Sequence, residues 1–248
     1  FSCLSCHSLH ESEPNDLLAK DRGDSRACTQ CHESFRDVTA LERHTHHRPD
    51  SSGSDCYNCH MPHTTYGVLS AIRSHQISNP RVADQLATGR PNACNLCHLD
   101  QPLAWTAQHL AQWYRQPVPD LDETSRTVAE AVRLGLAGDA GQRALIAWHL
   151  GWQPARQVSG DRWIPPILGA LLDDPYAAVR CQAERALRRT PGMTPANYDF
   201  VTEPSERPAA WEQVWRVWQQ RLAELPAESR HLSTGVLVQP TPEPPVTG

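Results

Sequence analysis

A single lysine, Lys20, stands among 248 residues, against 22 arginines. The imbalance looks like genomic composition bias, and it excludes a docking surface built on lysines. No apolar run approaches the roughly twenty residues that a membrane-crossing helix needs, and no signal peptide is recognisable. Basic charge is short as well. The net is −5, made of −3 over residues 1–110 (9 basic, 12 acidic) and −2 over residues 111–248 (14 basic, 16 acidic). Neither half is a basic platform, which excludes nucleic acid as a partner. Residues 1–110 are also poor in long apolar side chains and show almost no periodicity. A segment of that length and polarity would struggle to bury enough surface to fold alone, so something other than side chains must supply its core.

What the chain has instead is nine cysteines and thirteen histidines. Eight of the cysteines fall in four copies of Cys-x-x-Cys-His: Cys3, Cys6 and His7; Cys28, Cys31 and His32; Cys56, Cys59 and His60; Cys94, Cys97 and His98. Each is the attachment signature of a c-type haem. Two thiols add across the haem vinyl groups, and the adjacent histidine takes the iron from the proximal side. Zinc is the competing reading, since paired CxxC knuckles can also use eight thiolates. Zinc gives no reason for a histidine directly after every second cysteine. Disulfides rank lower, and thioredoxin-type chemistry needs a βαβ pattern that is missing here. The expectation is four covalently bound haem c groups whose porphyrin plates supply the absent core. Cys181, the ninth cysteine, lies in an apolar helical stretch and is expected as a buried packing thiol.

The motifs begin at residues 3, 28, 56 and 94. Linkers this short leave no room for a domain around each haem, so neighbouring porphyrins are expected close together, with electrons hopping along the array. Haem attachment to such motifs takes place outside the cytoplasm, which predicts a periplasmic or extracellular protein. The start at Phe1, two residues before a haem cysteine, suggests a segment of a longer polypeptide with further haems upstream.

After His98 the pattern changes to helical periodicity. Residues 105–114, 124–137, 140–151, 163–172, 175–189 and 206–225 carry apolar positions at i, i+3 or i+4 and i+7; Thr124 or Ser125 is a cap candidate for the second of these. The proline-rich break at 116–120 marks a boundary. The expected organisation is a tetrahaem region over 1–115, a helical region over 120–230 and a proline-rich tail over 231–248. The expected fold class is mainly α: a loop-rich, haem-packed cytochrome c region followed by an α-helical region. Six of the eight tryptophans lie in that helical part and are expected as packing residues; Trp105 and Trp113 are placed to touch a haem edge. Residues 171–187, with Asp173, Asp174 and Pro175 at a turn and Val179 and Arg180 on the next helix, resemble a HEAT-type repeat. With the helix pair before them the resemblance covers about 124–190, so that the 120–230 region is expected as HEAT-like. That resemblance implies a surface for binding proteins; a helical cap over the fourth haem is the alternative.

Counting second axial ligands decides between an electron relay and an enzyme. His10 and His63 each follow a proximal histidine by three residues, too few to wrap around their own haem, so each is expected on a neighbouring one. His44, His46 and His47 form a cluster between the second and third motifs, with residues 45–49 expected in a loop and one or two of the three histidines as ligands. His75 stands between the third and fourth motifs. His109 is as suited to packing as to ligation, and His149 and His231 read as ordinary residues.

The stretch from His44 to His98, with Cys59-His60-Met61-Pro62, Gly67, and His75 followed by Ile77, Asn79 and Pro80, resembles multihaem cytochromes related to ammonia-forming cytochrome c nitrite reductase and hydroxylamine oxidoreductase. The resemblance implies that His75 is an axial ligand and that His46 or His47 is another, with His44 less favoured. The chain departs from the nitrite reductases in having no CxxCK motif, hence no catalytic lysine ligand, and in having fewer haems. The CxxCHxxH arrangement at His10 is similar to that of multihaem conduits, where the extra histidine ligates an adjacent haem.

The function expected is electron transfer through mostly bis-histidine haems at His7, His32, His60 and His98, with His10, His46, His47, His63 and His75 as distal candidates. The chain is expected to be a carrier, with the helical region serving docking or assembly. The alternative is an oxidoreductase with one open haem that reduces a small nitrogen or sulfur oxyanion. Redox proteins are the expected partners, among them neighbouring multihaem cytochromes or a membrane complex, and homo- or hetero-oligomers fit as well.

Overall fold

The computed structural model describes residues 2–8, 10 and 17–226. The protein is mainly helical and divides into two compact units. Residues 1–62 and 73–79 form the first; residues 63–72 and those from 80 onward form the second. The proline-rich tail expected from 231, with His231, lies outside the described residues.

The first unit is assembled from very short elements: a 3-10 turn at Cys3–Ser5, helix α1 (Arg26–Thr29), a 3-10 turn at Glu33–Arg36, α2 (Val38–Thr45), a 3-10 turn at Ser52–Ser54 and α3 (Cys56–His60). Asp37 starts α2 by accepting from the Ala40 N–H at 2.8 Å, and His46, at φ 56°, ends it in the left-handed region. Asp55 caps α3 in the same way, accepting from the Tyr57 N–H. Both are side-chain acceptors for otherwise unpaired helix-end amides.

Polar cross-links hold these pieces together. Ser25 Oγ donates to Asp55 at 3.2 Å and accepts from the Cys56 N–H at 3.0 Å. Tyr57 Oη donates to the Arg22 carbonyl at 2.8 Å, and Arg73 donates to Met61 and Asn58 while lying over the Tyr57 ring. Among the described residues of this unit, the buried hydrophobic ones are Ala27 and Tyr57. Leu4, Val38 and Ile77 are more than half exposed.

The second unit opens with an antiparallel hairpin, β1 (Thr65–Gly67) and β2 (Ser70–Ile72), in which Tyr66 faces Ala71. Its two turn residues, Val68 and Leu69, both have positive φ. Hairpin turns of this kind favour Asn and Gly, and a β-branched residue there is strained. The turn is held from outside: Gln182 and Arg185 both donate to the Leu69 carbonyl at 2.6 Å, and Tyr66 Oη donates to the Ala178 carbonyl at 3.3 Å.

Among the described residues nine α-helices follow: α4 (Val82–Thr88), α5 (Leu103–Tyr114), α6 (Glu123–Thr127), α7 (Glu130–Ala137), α8 (Ala140–Leu150), α9 (Gln153–Ser159), α10 (Ile164–Leu171), α11 (Ala177–Arg188) and α12 (Arg207–Glu224). The helix expected over 124–137 is two helices, because Val128 and Ala129 take extended backbone between α6 and α7. Its cap is Asp122, which accepts from the Ser125 N–H, and neither Thr124 nor Ser125 caps it. Helix α9 was not anticipated.

The main core of this unit joins Leu134, Ile146, Leu150, Ile164, Leu168, Leu172 and Leu187 to Leu96, inside the fourth motif, and Leu99, directly after it. Cys181 is buried, as expected. At the turn before α11, Asp174 takes two bonds from Arg143, at 2.6 and 3.2 Å, and accepts from the Tyr176 N–H. Trp163 is buried in the core, whereas Trp211, Trp215 and Trp218 form a half-buried row along α12 with ring centroids 5.4 and 4.9 Å apart.

Candidate haem sites

A Cys-x-x-Cys-His segment that closes one helical turn brings its two thiols and its imidazole to the same side of the backbone. The structure repeats this turn. The histidine N–H bonds back to the carbonyl of the first cysteine at 2.8 Å in the first motif (His7 to Cys3), 3.0 Å in the second (His32 to Cys28) and 2.9 Å in the fourth (His98 to Cys94). The third motif is helix α3 itself.

The first unit fits the groups these motifs would hold. Among its described residues two hydrophobic ones are buried where a core should be, and Leu4, Leu17, Val38 and Ile77 are exposed. A porphyrin plate would give them something to pack against, and a haem-free unit of this composition has no comparable source of burial.

Ring spacing is one further requirement of a shared iron. Two imidazoles bound to one metal at about 2 Å each, with about 1 Å from nitrogen to ring centre, place their centroids about 6 Å apart. His44 and His60 stand at 6.1 Å with planes 6° apart. His7 and His75 stand at 6.1 Å with planes 22° apart. Each pair joins a proximal histidine to one from outside any motif.

Metal-bound histidines commonly donate the other ring N–H to a carbonyl, which fixes the tautomer. His60 Nδ1 lies 3.0 Å from the Ser78 carbonyl, His47 Nδ1 2.6 Å from Thr45, His63 Nδ1 3.3 Å from Ala71 and His109 Nδ1 2.8 Å from Trp105. All four thereby keep Nε2 as the lone-pair nitrogen.

His44 belongs to helix α2, and its ring stands against that of His60. The Asp37 cap in front of Val38 was the sequence signal for that helix. His44 packs on Phe35 at 4.6 Å, and burial holds its pKa below the ordinary imidazole value. His46 is the residue that ends α2. His47 is fitted against Gly53, where any side chain would overlap its ring. His10 is exposed.

His98 leads an aromatic run: Trp105 at 4.6 Å from it, His109 at 4.1 Å from Trp105 and Trp113 at 4.8 Å from His109. Trp105 therefore lies against the fourth proximal histidine.

Cys28 and Cys56, the first cysteines of the second and third motifs, share a thiol hydrogen bond. That bond, with burial, pushes Cys28 up, while Cys56, which also takes a bond from Ser25, is held down at about 6. Burial raises Cys59 to about 11. No group of three or more His, Cys, Asp or Glu side chains that could hold a metal ion is found among the described residues.

A family defined by a doubled CXXCH motif matches residues 2–37, which contain the first two motifs. The match supports a multihaem c-type cytochrome with covalently bound haem c, a class that serves electron transfer. No curated protein and no solved structure matches the chain. No described helix is long and apolar enough to cross a membrane.

Proposed function

We propose that the chain carries four haem c groups, closed by histidine pairs, and relays electrons along them outside the cytoplasm. The observation that carries this reading is the spacing of His44–His60 and His7–His75, each 6.1 Å between ring centres. An iron with an imidazole on both faces has no position for substrate, and the bound haem supplies one-electron exchange between ferric and ferrous iron. The chain's own residues do the rest: cysteines tether, Nδ1 bonds orient the imidazoles, and Phe35 and Trp105 pack against ligand rings. His47 and His63, each with Nδ1 tied to a carbonyl, are the distal ligands proposed for the irons that these two pairs do not close, with His10 and His46 as further candidates. The departure from CxxCK supports a carrier over a nitrogen-oxyanion reductase. Redox proteins are the proposed partners, and the HEAT-type pattern at 171–187 supports a protein-binding role for the helical region.

Electron paramagnetic resonance of the oxidised holoprotein tests the relay. All irons should be low-spin, and His44→Ala and His75→Ala should each convert one of them to a high-spin signal that binds cyanide. A stoichiometric high-spin signal in the unaltered protein, or nitrite binding to it, would overturn the relay in favour of an open catalytic haem.

A further inference from the structure

We propose that Trp148, His149 and Trp152 form an aromatic collar that positions the His63 imidazole as an axial haem ligand. The proposal rests on the reading that His63 ligates iron. It gives the helical region a part in the redox site itself.

The three collar rings touch one another. Trp148 lies 4.8 Å from His149 and 5.8 Å from Trp152, and His149 lies 5.7 Å from Trp152. His63 sits against all three, at 4.7 Å from Trp148, 5.7 Å from Trp152 and 6.4 Å from His149. Its Nδ1 is meanwhile bonded to the Ala71 carbonyl on β2. A ring met by one tilted and two edge-on aromatic neighbours and tied at one nitrogen has little freedom to turn, and the orientation of Nε2 is fixed by the surroundings.

The collar stands on rigid ground. Trp148 and His149 are on α8, whose Ala144, Leu145, Ile146, Ala147 and Leu150 are buried. His149 is 1% exposed and bonds its Nδ1 to the Leu145 carbonyl at 2.8 Å. Between His149 and Trp152, Gly151 is pressed so closely on Ala186 of α11 that a methyl group there would come within 2.8 Å of its Cβ. The hairpin that follows His63 is fastened to α11 by the Gln182, Arg185 and Ala178 bonds. Helices α8 and α11 thus hold the ligand segment at the ring and again at the hairpin.

The separation of His63 and His149 is near that of an axial pair, yet the two do not share a metal. His149 is 1% exposed and Trp148 packs on both rings, 4.7 Å from one and 4.8 Å from the other, which leaves no room for a porphyrin plate between them. His149 is therefore a positioning residue. Outer contacts of this kind tune the basicity and orientation of a ligand, and through them the reduction potential.

Three variants of the full-length holoprotein test the collar, read by electron paramagnetic resonance and redox titration. His63→Ala should turn one low-spin iron high-spin. Trp148→Leu combined with Trp152→Leu should keep that same iron low-spin but shift its signal and midpoint potential, leaving the other three unchanged. Trp148→Phe should return the signal most of the way, and serves if the double variant does not fold. If His63→Ala leaves every iron six-coordinate, the ligand reading itself fails. If His63→Ala acts and neither collar variant shifts any haem, while only the melting temperature moves, the collar is wrong and the ligand stands.

Discussion

Leu134, Ile146, Leu150, Leu168 and Leu187 are at most 2% exposed in the second unit, whereas the buried hydrophobic residues described in the first are Ala27 and Tyr57. One unit is closed by interlocking side chains at the density usual for protein interiors. The other has caps, cross-chain hydrogen bonds and three haem motifs, but no apolar side chains in quantity. The fourth motif belongs with the helices, and Leu96 and Leu99 on either side of Cys97 and His98 are part of their core. The contrast teaches that a haem motif does not by itself dictate how its surroundings are built. Where the chain supplies leucines the motif is set into a side-chain core, and where it does not, the cofactor has to be the core.

Abolishing haem attachment should separate the two units most sharply. With the cysteines of all four motifs changed to alanine, limited proteolysis read by mass spectrometry should cut throughout residues 17–62 and spare residues 103–225. Equal resistance of both regions would break the comparison. Leu168→Ala acts on the other side: a fully buried leucine shortened in this way costs about 2–5 kcal/mol, visible as a lower denaturation midpoint in far-UV circular dichroism. The haem count should stay the same. The smallest effect is expected from Gly53→Ala in the first unit. It should change global stability by about 1 kcal/mol or less, yet push the His47 ring aside and shift one low-spin signal. An unchanged set of four signals would remove His47 from the ligands.

The sequence made the cysteines and proximal histidines legible because covalent chemistry fixes their spacing to a single turn. It also made the polar first hundred residues legible as a segment lacking its own core, since that is a matter of composition alone. The helices from α5 to α12 followed from periodicity, apart from α9, which is short and opens at Pro154, and the break at Val128, where two extended residues interrupt an unbroken apolar pattern. Distal histidines were harder. His44 and His60 are brought together by the fold between them, and no local pattern encodes that approach. The collar was invisible for the same reason: Trp148, His149 and Trp152 read as ordinary packing residues until His63, some 85 positions earlier in the chain, is seen against them. The hairpin escaped notice because its turn uses Val68 and Leu69, residues that turn rules exclude, and its support comes from Gln182 and Arg185.

The thiol contact between Cys28 and Cys56 bears on how the protein is made. On the proposed reading each of these sulfurs belongs to a different haem, and a sulfur joined to a vinyl carbon has no thiol to lose. Without haem, the two sulfurs would stand side by side as thiols, a pair able to join as a disulfide under oxidation. On that reading, haem attachment at either motif removes the means by which these two sulfurs could cross-link the second and third motifs.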